Sequence, residues 1–321
     1  MPKDTARRRR TTIAVITLGV CLALLGGVGA WLSFGRDTTP PCSELSENDR
    51  VRQSVGEAVR PGMSCQALGE AIVKASVGDS RGDHTLAQAQ ALKDVLVTLG
   101  GRGSEEVGVD PALRRPLAVA LSDYGPDLHA MLGGITVEDF VAKAAPQAPP
   151  WESDGTYHLT VLSDTLRNVL RAIAEDPRAY ALLRLSETRT TGQRLDAVPG
   201  DAKGYGLSVP PTEGARALGA LDGIADVVAR GLDENQAREW RTAVVDELEK
   251  GRVPADEGLA ATWLNGLRGV PEAQRFEYLG TQGVDMTRRW AEQRGMDETA
   301  RQALLAKVER SALTAHREAG A

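Results

Sequence analysis

Residues 159–185 read LTVLSDTLRNVLRAIAEDPRAYALLRL. Leu159, Leu162, Leu166, Val169, Leu170 and Ile173 recur at three- and four-residue steps, the period of a helix that buries one face. The pattern runs to Glu175, where Asp176-Pro177 opens a second helix. Asp accepts from amides that have no intrahelical partner, and Pro at the first helical position gives up an N–H that would be unpaired anyway. Tyr180, Leu182, Leu183 and Leu185 continue the second helix. No stretch sustains the two-residue alternation of a strand, so the expected class is all-α.

Outward from this pair, the same signals recur. Toward the N-terminus, Asp110-Pro111 opens a helix through Leu113, Leu117, Leu121 and Tyr124, broken at Gly125-Pro126 before a short turn through Leu128, His129 and Leu132. Thr136 and Asp139 resemble a cap ahead of Phe140 and Val141. A helix is expected from Thr85 to about Leu99, another after the cap Ser64, and one from Ser46-Glu47-Asn48-Asp49 through Val51, Val55 and Val59 to the stop at Pro61-Gly62. Toward the C-terminus, helices are expected near 215–229, 234–249, 256–267, 272–294 and 298–317. Residues 144–150 hold three prolines and read as a linker, dividing the chain into helical parts 42–150 and 151–321, or joining them as one domain. Val198 to Pro211, rich in Gly and Pro, reads as a second long loop. No tandem repeat holds.

Ahead of the helical region, Ile13 to Phe34 is a run of twenty-two residues without a charge. About 20 apolar residues cross a bilayer as a helix. Lys3, Arg7, Arg8, Arg9 and Arg10 precede the run, and only Arg36, offset by Asp37, follows it closely. The positive-inside rule then places residues 1–12 in the cytoplasm, 13–34 in membrane lipid as a signal-anchor, 35–41 as a stalk with Pro40-Pro41, and the remainder outside. Trp31 suits the outer interface. Cleavage after Val28-Gly29-Ala30 is the alternative and would release a secreted protein. A lipoprotein anchor at Cys21 and a twin-arginine signal at Arg9-Arg10 fit the flanking residues less well.

Composition agrees with an exported domain. With Lys3, the four arginines and Asp4 set aside, 33 basic residues face 43 acidic ones. That balance argues against nucleic acid as a partner, because phosphate affinity comes from clustered Lys and Arg. Aromatic residues make up 4% of the chain, so Leu, Val and Ala must build the core. Cys42 and Cys65, the pair outside the apolar run, read as a disulfide in an oxidising compartment.

Motifs that would carry chemistry dissolve on inspection. Gly78-Asp79-Ser80 is reminiscent of an esterase nucleophile block, but none of His84, His129, His158 and His316 has Asp three residues before it. Arg81-Gly82-Asp83 reads as a turn. His129, beside Leu128 and Met131, reads as a half-buried packing residue. The pairs Asp233-Glu234, Asp246-Glu247 and Asp256-Glu257 fall at helix starts or on solvated faces. Gly100-Gly101-Arg102-Gly103 follows a helix and lacks the Lys-Ser/Thr end of a phosphate loop. Trp240, Trp263, Phe276, Tyr278 and Trp290 read as the core of the C-terminal part. No catalytic, metal or cofactor residue is identified, and no cofactor is expected.

The runs His84-Thr85-Leu86-Ala87-Gln88-Ala89-Gln90, Pro116-Leu117-Ala118, Asp123-Tyr124-Gly125-Pro126-Asp127-Leu128-His129, Asp176-Pro177-Arg178-Ala179-Tyr180 and Gly219-Ala220-Leu221-Asp222 resemble helical regions of uncharacterised actinobacterial envelope and secreted proteins, some of them toxin-associated. The resemblance spans residues 84–240 and implies no site residues. It implies a bacterial envelope protein that contacts another protein. The functional expectation is a single-pass protein presenting a helical domain for protein–protein interaction, with 198–211 as a candidate contact region. The opposing expectation is a cell-wall-acting or small-ligand enzyme.

Overall fold

The computed structural model describes residues 42–78, 82–101, 108–134, 142–251 and 258–321. The basic residues Arg7, Arg8, Arg9 and Arg10, the apolar run with Trp31, and the stalk lie outside the described residues. So do Asp79 to Arg81, Arg102-Gly103, Thr136 to Val141 and Asp256-Glu257. Among the described residues no helix is long and apolar enough to cross a membrane.

The described chain is all-α apart from one small hairpin. In order, its elements are α1 (Cys42–Glu47), α2 (Asp49–Val55), α3 (Cys65–Ser76), α4 (Leu86–Gly100), α5 (Pro111–Asp123), α6 (Gly125–Gly133), β1 (Trp151–Ser153), β2 (Thr156–His158), α7 (Ser163–Ala174), α8 (Pro177–Asp196), α9 (Tyr205–Arg230), α10 (Glu234–Lys250), α11 (Gly258–Arg268), a 3₁₀ turn (Glu272–Gln274), α12 (Arg275–Leu279), α13 (Gln282–Gln293) and α14 (Glu298–Gly320). Capping follows the sequence signals. Asp110 accepts from Ala112 N, Asp176 from Arg178 N and Ser64 from Ala67 N. Thr85 and Gln88 form a reciprocal capping box at the start of α4.

The disulfide joins Cys42 and Cys65, with their Cα atoms 5.5 Å apart. It ties α1 to α3. α1 itself is missing from the sequence expectation. The helix expected to run through Val59 instead stops at Val55, because Gly56 turns the chain at φ +90°.

The helix of residues 163–174 begins at Ser163, so Leu159 and Val161 are buried ahead of it. α8 is the central element: it packs against α5, α6, α7, α9, α10, α11 and α13. Residues before and after the expected linker at 144–150 are therefore packed together, and Pro40–Ala321 clusters as one unit. Because α8 is packed against seven helices, polar residues in its middle are buried too, while Arg178, Gln193, Arg194 and Asp196 near its ends are exposed. Arg184, Glu187 and Thr188 have no exposed surface. The five aromatic residues of the last third divide: Trp240, Trp263 and Trp290 are buried, whereas Phe276 and Tyr278 are half-buried. Two indoles cap helix ends, with Trp240 Nε1 donating to Ala174 O at 3.0 Å and Trp290 Nε1 to Leu195 O at 2.8 Å.

Three further corrections concern chain breaks. The hairpin β1–β2 was not expected from alternation, since each strand has three residues; its signal is Asp154-Gly155, both at positive φ, the turn that matches strand twist. The long loop expected from Val198 to Pro211 ends at Gly204, and Tyr205 to Pro211 form the first turns of α9. Pro210 and Pro211 lie in the second turn of α9, where each forgoes an N–H bond to the carbonyl four residues earlier. The single helix expected over 272–294 divides at Gly280-Thr281 into α12 and α13.

The run Asp123 to His129 forms the corner between α5 and α6, and it fastens distant segments. Asp123 Oδ2 meets His84 Nε2 at 2.9 Å, Asp127 Oδ1 meets His158 Nδ1 at 2.6 Å, and His129 Nδ1 meets Glu187 Oε1 at 2.7 Å. Tyr124 stacks on His84 with ring centres 3.6 Å apart and donates to Ser76 O at 2.9 Å. His129 is 1% exposed, fully buried rather than half-buried, because Glu187 supplies the polar partner that burial demands.

α9 and α14 lie in close contact. An added Cβ at Gly219 would stand 2.4 Å from Ala312 O, and one at Gly223 would stand 2.2 Å from His316 O. Only a residue without a side chain lets the two backbones approach so far. The last turn of α14 is clasped by arginines: Arg167 donates to Glu318 O at 2.7 Å, Arg171 to Ala319 O at 2.6 Å and Arg230 to Gly320 O at 2.6 Å. Cations at a helix C-terminus satisfy its orphan carbonyls and suit its dipole.

Candidate functional site

A cleft of about 1240 Å³ opens where α9, α10, α12, α13 and α14 converge. Each long helix turns one stripe toward it. α10 contributes Arg238, Arg241, Thr242, Val245 and Asp246. α14 contributes Glu309, Ala312, Leu313 and His316. From the start of α13 come Thr281, Val284, Asp285 and Arg288, and from α9 come Gly219, Asp222, Ala225 and Asp226. These spacings of three, four and seven residues are those of a single helical face. Phe276, Glu277 and Tyr278 of α12 close one side.

The floor is anchored in the core. Asp222 pairs with the Arg184 guanidinium of α8; the arginine side chain is fully buried, whereas the carboxylate is 19% exposed and faces the cleft. Arg184 also donates from Nε to Gln282 Oε1 at 2.9 Å and from its second terminal nitrogen to Leu279 O at 2.6 Å. Gln282 in turn donates to Thr188 Oγ1 at 2.7 Å. Burial pulls the Arg184 pKa down, but the combined attraction of Asp222 and Tyr180 outweighs it and holds the group above the ordinary arginine value. The guanidinium therefore stays charged and fixes where α9, α12 and α13 meet.

The walls hold both signs of charge, unequally satisfied. Arg288 pairs with Asp285, Arg275 with Glu249, Arg238 donates to Asn235, and Arg241 lies over the Phe276 ring at 5.8 Å. Asp226 Oδ2 meets His316 Nε2 at 2.8 Å. Asp246, Glu277 and Glu309 form no ion pair among the described residues. Leu313, also a lining residue, is 55% exposed, an apolar side chain open to water. The cleft thus joins an apolar strip to unbalanced negative charge.

Of the residues singled out in sequence, the structure brings Asp246, Phe276, Tyr278 and His316 into the cleft. Asp233 serves as the cap of α10, and Trp240, Trp263 and Trp290 are core. Val198 to Pro211 contributes no lining residue. Tyr205, at the start of α9, is nevertheless 85% exposed. Glu277, Glu309 and Leu313 were not singled out, and Asp222 entered only as the last residue of the run Gly219-Ala220-Leu221-Asp222. Their signal was positional: each occupies a stripe on an amphipathic helix, and which stripe meets solvent is decided by packing among helices up to about a hundred residues apart. Cys42, Cys65 and Asp110 lie within 4.8 Å of one another, but the two sulfurs are bonded together and offer no thiolate to a metal. No family model, curated protein or solved structure matches the chain.

Proposed function

We propose that the chain is a single-pass bacterial envelope protein, held in membrane lipid through residues 13–34 with Arg7 to Arg10 inside, that presents its helical domain outside the membrane to another protein through this cleft. One observation carries the reading: seven carboxylates line the cleft against four arginines, Asp246, Glu277 and Glu309 form no ion pair among the described residues, and exposed Leu313 is among the lining side chains. Interaction surfaces combine apolar contact with polar groups left for a partner. The cleft also exceeds the roughly 300–1,000 Å³ of ordinary small-molecule sites. A crosslinking pulldown from native membranes tests this, with the intact chain and a fragment from Asp37 onward as baits. A protein partner retained by both baits supports the reading. Loss of every protein partner, with the fragment binding or cleaving wall material, contradicts it.

The opposing reading is an enzyme, favoured by one contact. Asp226 holds His316, 35% exposed at the cleft wall, in the way that a carboxylate orients a general base. Under that reading the fragment from Asp37 onward turns over wall material and His316→Ala abolishes that turnover.

A further inference from the structure

The cleft has the form of a bundle with one helix missing. Stripes on α9, α10, α13 and α14 face a common void, and each is spaced to receive the ridges of another helix. A helix with its side chains is about 10 Å across and rises about 1.5 Å per residue, so a cylinder of that width matching the cleft is about 16 Å long and holds roughly ten residues. The void measures about 1240 Å³.

Charge narrows the occupant further. Of the wall arginines, Arg288 and Arg275 pair with Asp285 and Glu249, whereas Arg238 and Arg241 meet only Asn235 and the Phe276 ring; seven lining carboxylates nevertheless face these four arginines. Asp246, Glu277 and Glu309, from three different elements, are not balanced. A helix seated in the cleft has Leu313, Val284 and Val245 as well as these carboxylates within its lining. Resting on the contact-surface reading above, we infer that the partner inserts a cationic amphipathic helix of about ten residues into this cleft, as the missing neighbour of α9, α10, α13 and α14.

The test uses the full chain in detergent micelles and two labelled twelve-residue peptides of identical Lys and Leu content. One has Leu at helical spacing and the other alternates Leu and Lys. Fluorescence anisotropy is expected to give at least ten-fold tighter binding for the helically spaced peptide. That binding should weaken at least ten-fold in the Asp246→Lys/Glu277→Lys/Glu309→Lys variant. Equal binding of the two peptides overturns the helical occupant while leaving the cleft as a contact surface. Binding that the variant does not weaken, or no binding of either peptide, overturns the inference altogether; the contact-surface reading is judged separately, by capture of the natural partner.

Discussion

Asp222 and Arg184 connect the water-facing floor of the cleft to the centre of the fold, the carboxylate 19% exposed and the guanidinium not at all. Removing one partner of such a pair strands a buried charge, which costs about 3–5 kcal/mol. Asp222→Ala is therefore expected to lower the free energy of unfolding by about that amount in urea titration. A loss below about 1 kcal/mol would mean that Arg184 is sufficiently held by Gln282 and Leu279 O alone.

The approach of α14 to α9 yields a contrast between two glycines of one helix. At Gly223 an added methyl meets His316 O, whereas at Gly206 nothing lies within 4 Å. Gly223→Ala should destabilise by about 1–3 kcal/mol through overpacking, despite the better helix propensity of Ala. Gly206→Ala should be neutral or stabilising by up to about 1 kcal/mol. Thermal unfolding of the two variants decides the matter.

His158 supplies a pH signature. Its pKa is raised above the ordinary histidine value, chiefly by the hydrogen bond to Asp127 and in spite of burial. A raised folded-state pKa stabilises fully below the unfolded value near 6.5 and is lost as pH rises through the folded value. The stability gap between wild type and His158→Gln should accordingly be widest below pH 6 and narrow toward pH 8.5. A gap that widens with pH would reverse the sign and refute the charged pair.

The disulfide closes 23 residues of chain between α1 and α3. In the chain-entropy account a loop of that size stabilises by about 3 kcal/mol. Reduction, or Cys42→Ser with Cys65→Ser, should lower the unfolding midpoint, and oxidised and reduced protein should migrate differently on a non-reducing gel.

These relationships were legible in sequence to different degrees. Helix starts at Ser64, Thr85, Asp110 and Asp176 could be read because a cap is a local event, complete within four residues. The disulfide could be read because two cysteines outside the apolar run leave one pairing. The enclosed position of α8 could not, since Arg184, Glu187 and Thr188 are polar and carry no local sign of burial; helices from both ends of the chain cover them. Their partners lie far off in sequence: Asp222 is 38 residues from Arg184, and His129 is 58 from Glu187. The hairpin carried a local signal, Asp154-Gly155, but its strands were too short to alternate. The cleft had none, because its stripes come from helices whose relative rotation is set by contacts such as Gly223 on His316.

The most direct test of the cleft as the partner surface is site-specific photo-crosslinking in native membranes, comparing a probe at Leu313 with one at Val119. Both positions are solvent-facing, at 55% and 37% exposure, but Val119 lies on α5 and does not line the cleft. The account predicts that the Leu313 probe captures one recurrent protein, that Asp246→Lys/Glu277→Lys/Glu309→Lys abolishes the capture, and that the Val119 probe captures nothing recurrent. Recurrent capture through Val119 with none through Leu313, or capture through Leu313 untouched by the charge reversal, would contradict it.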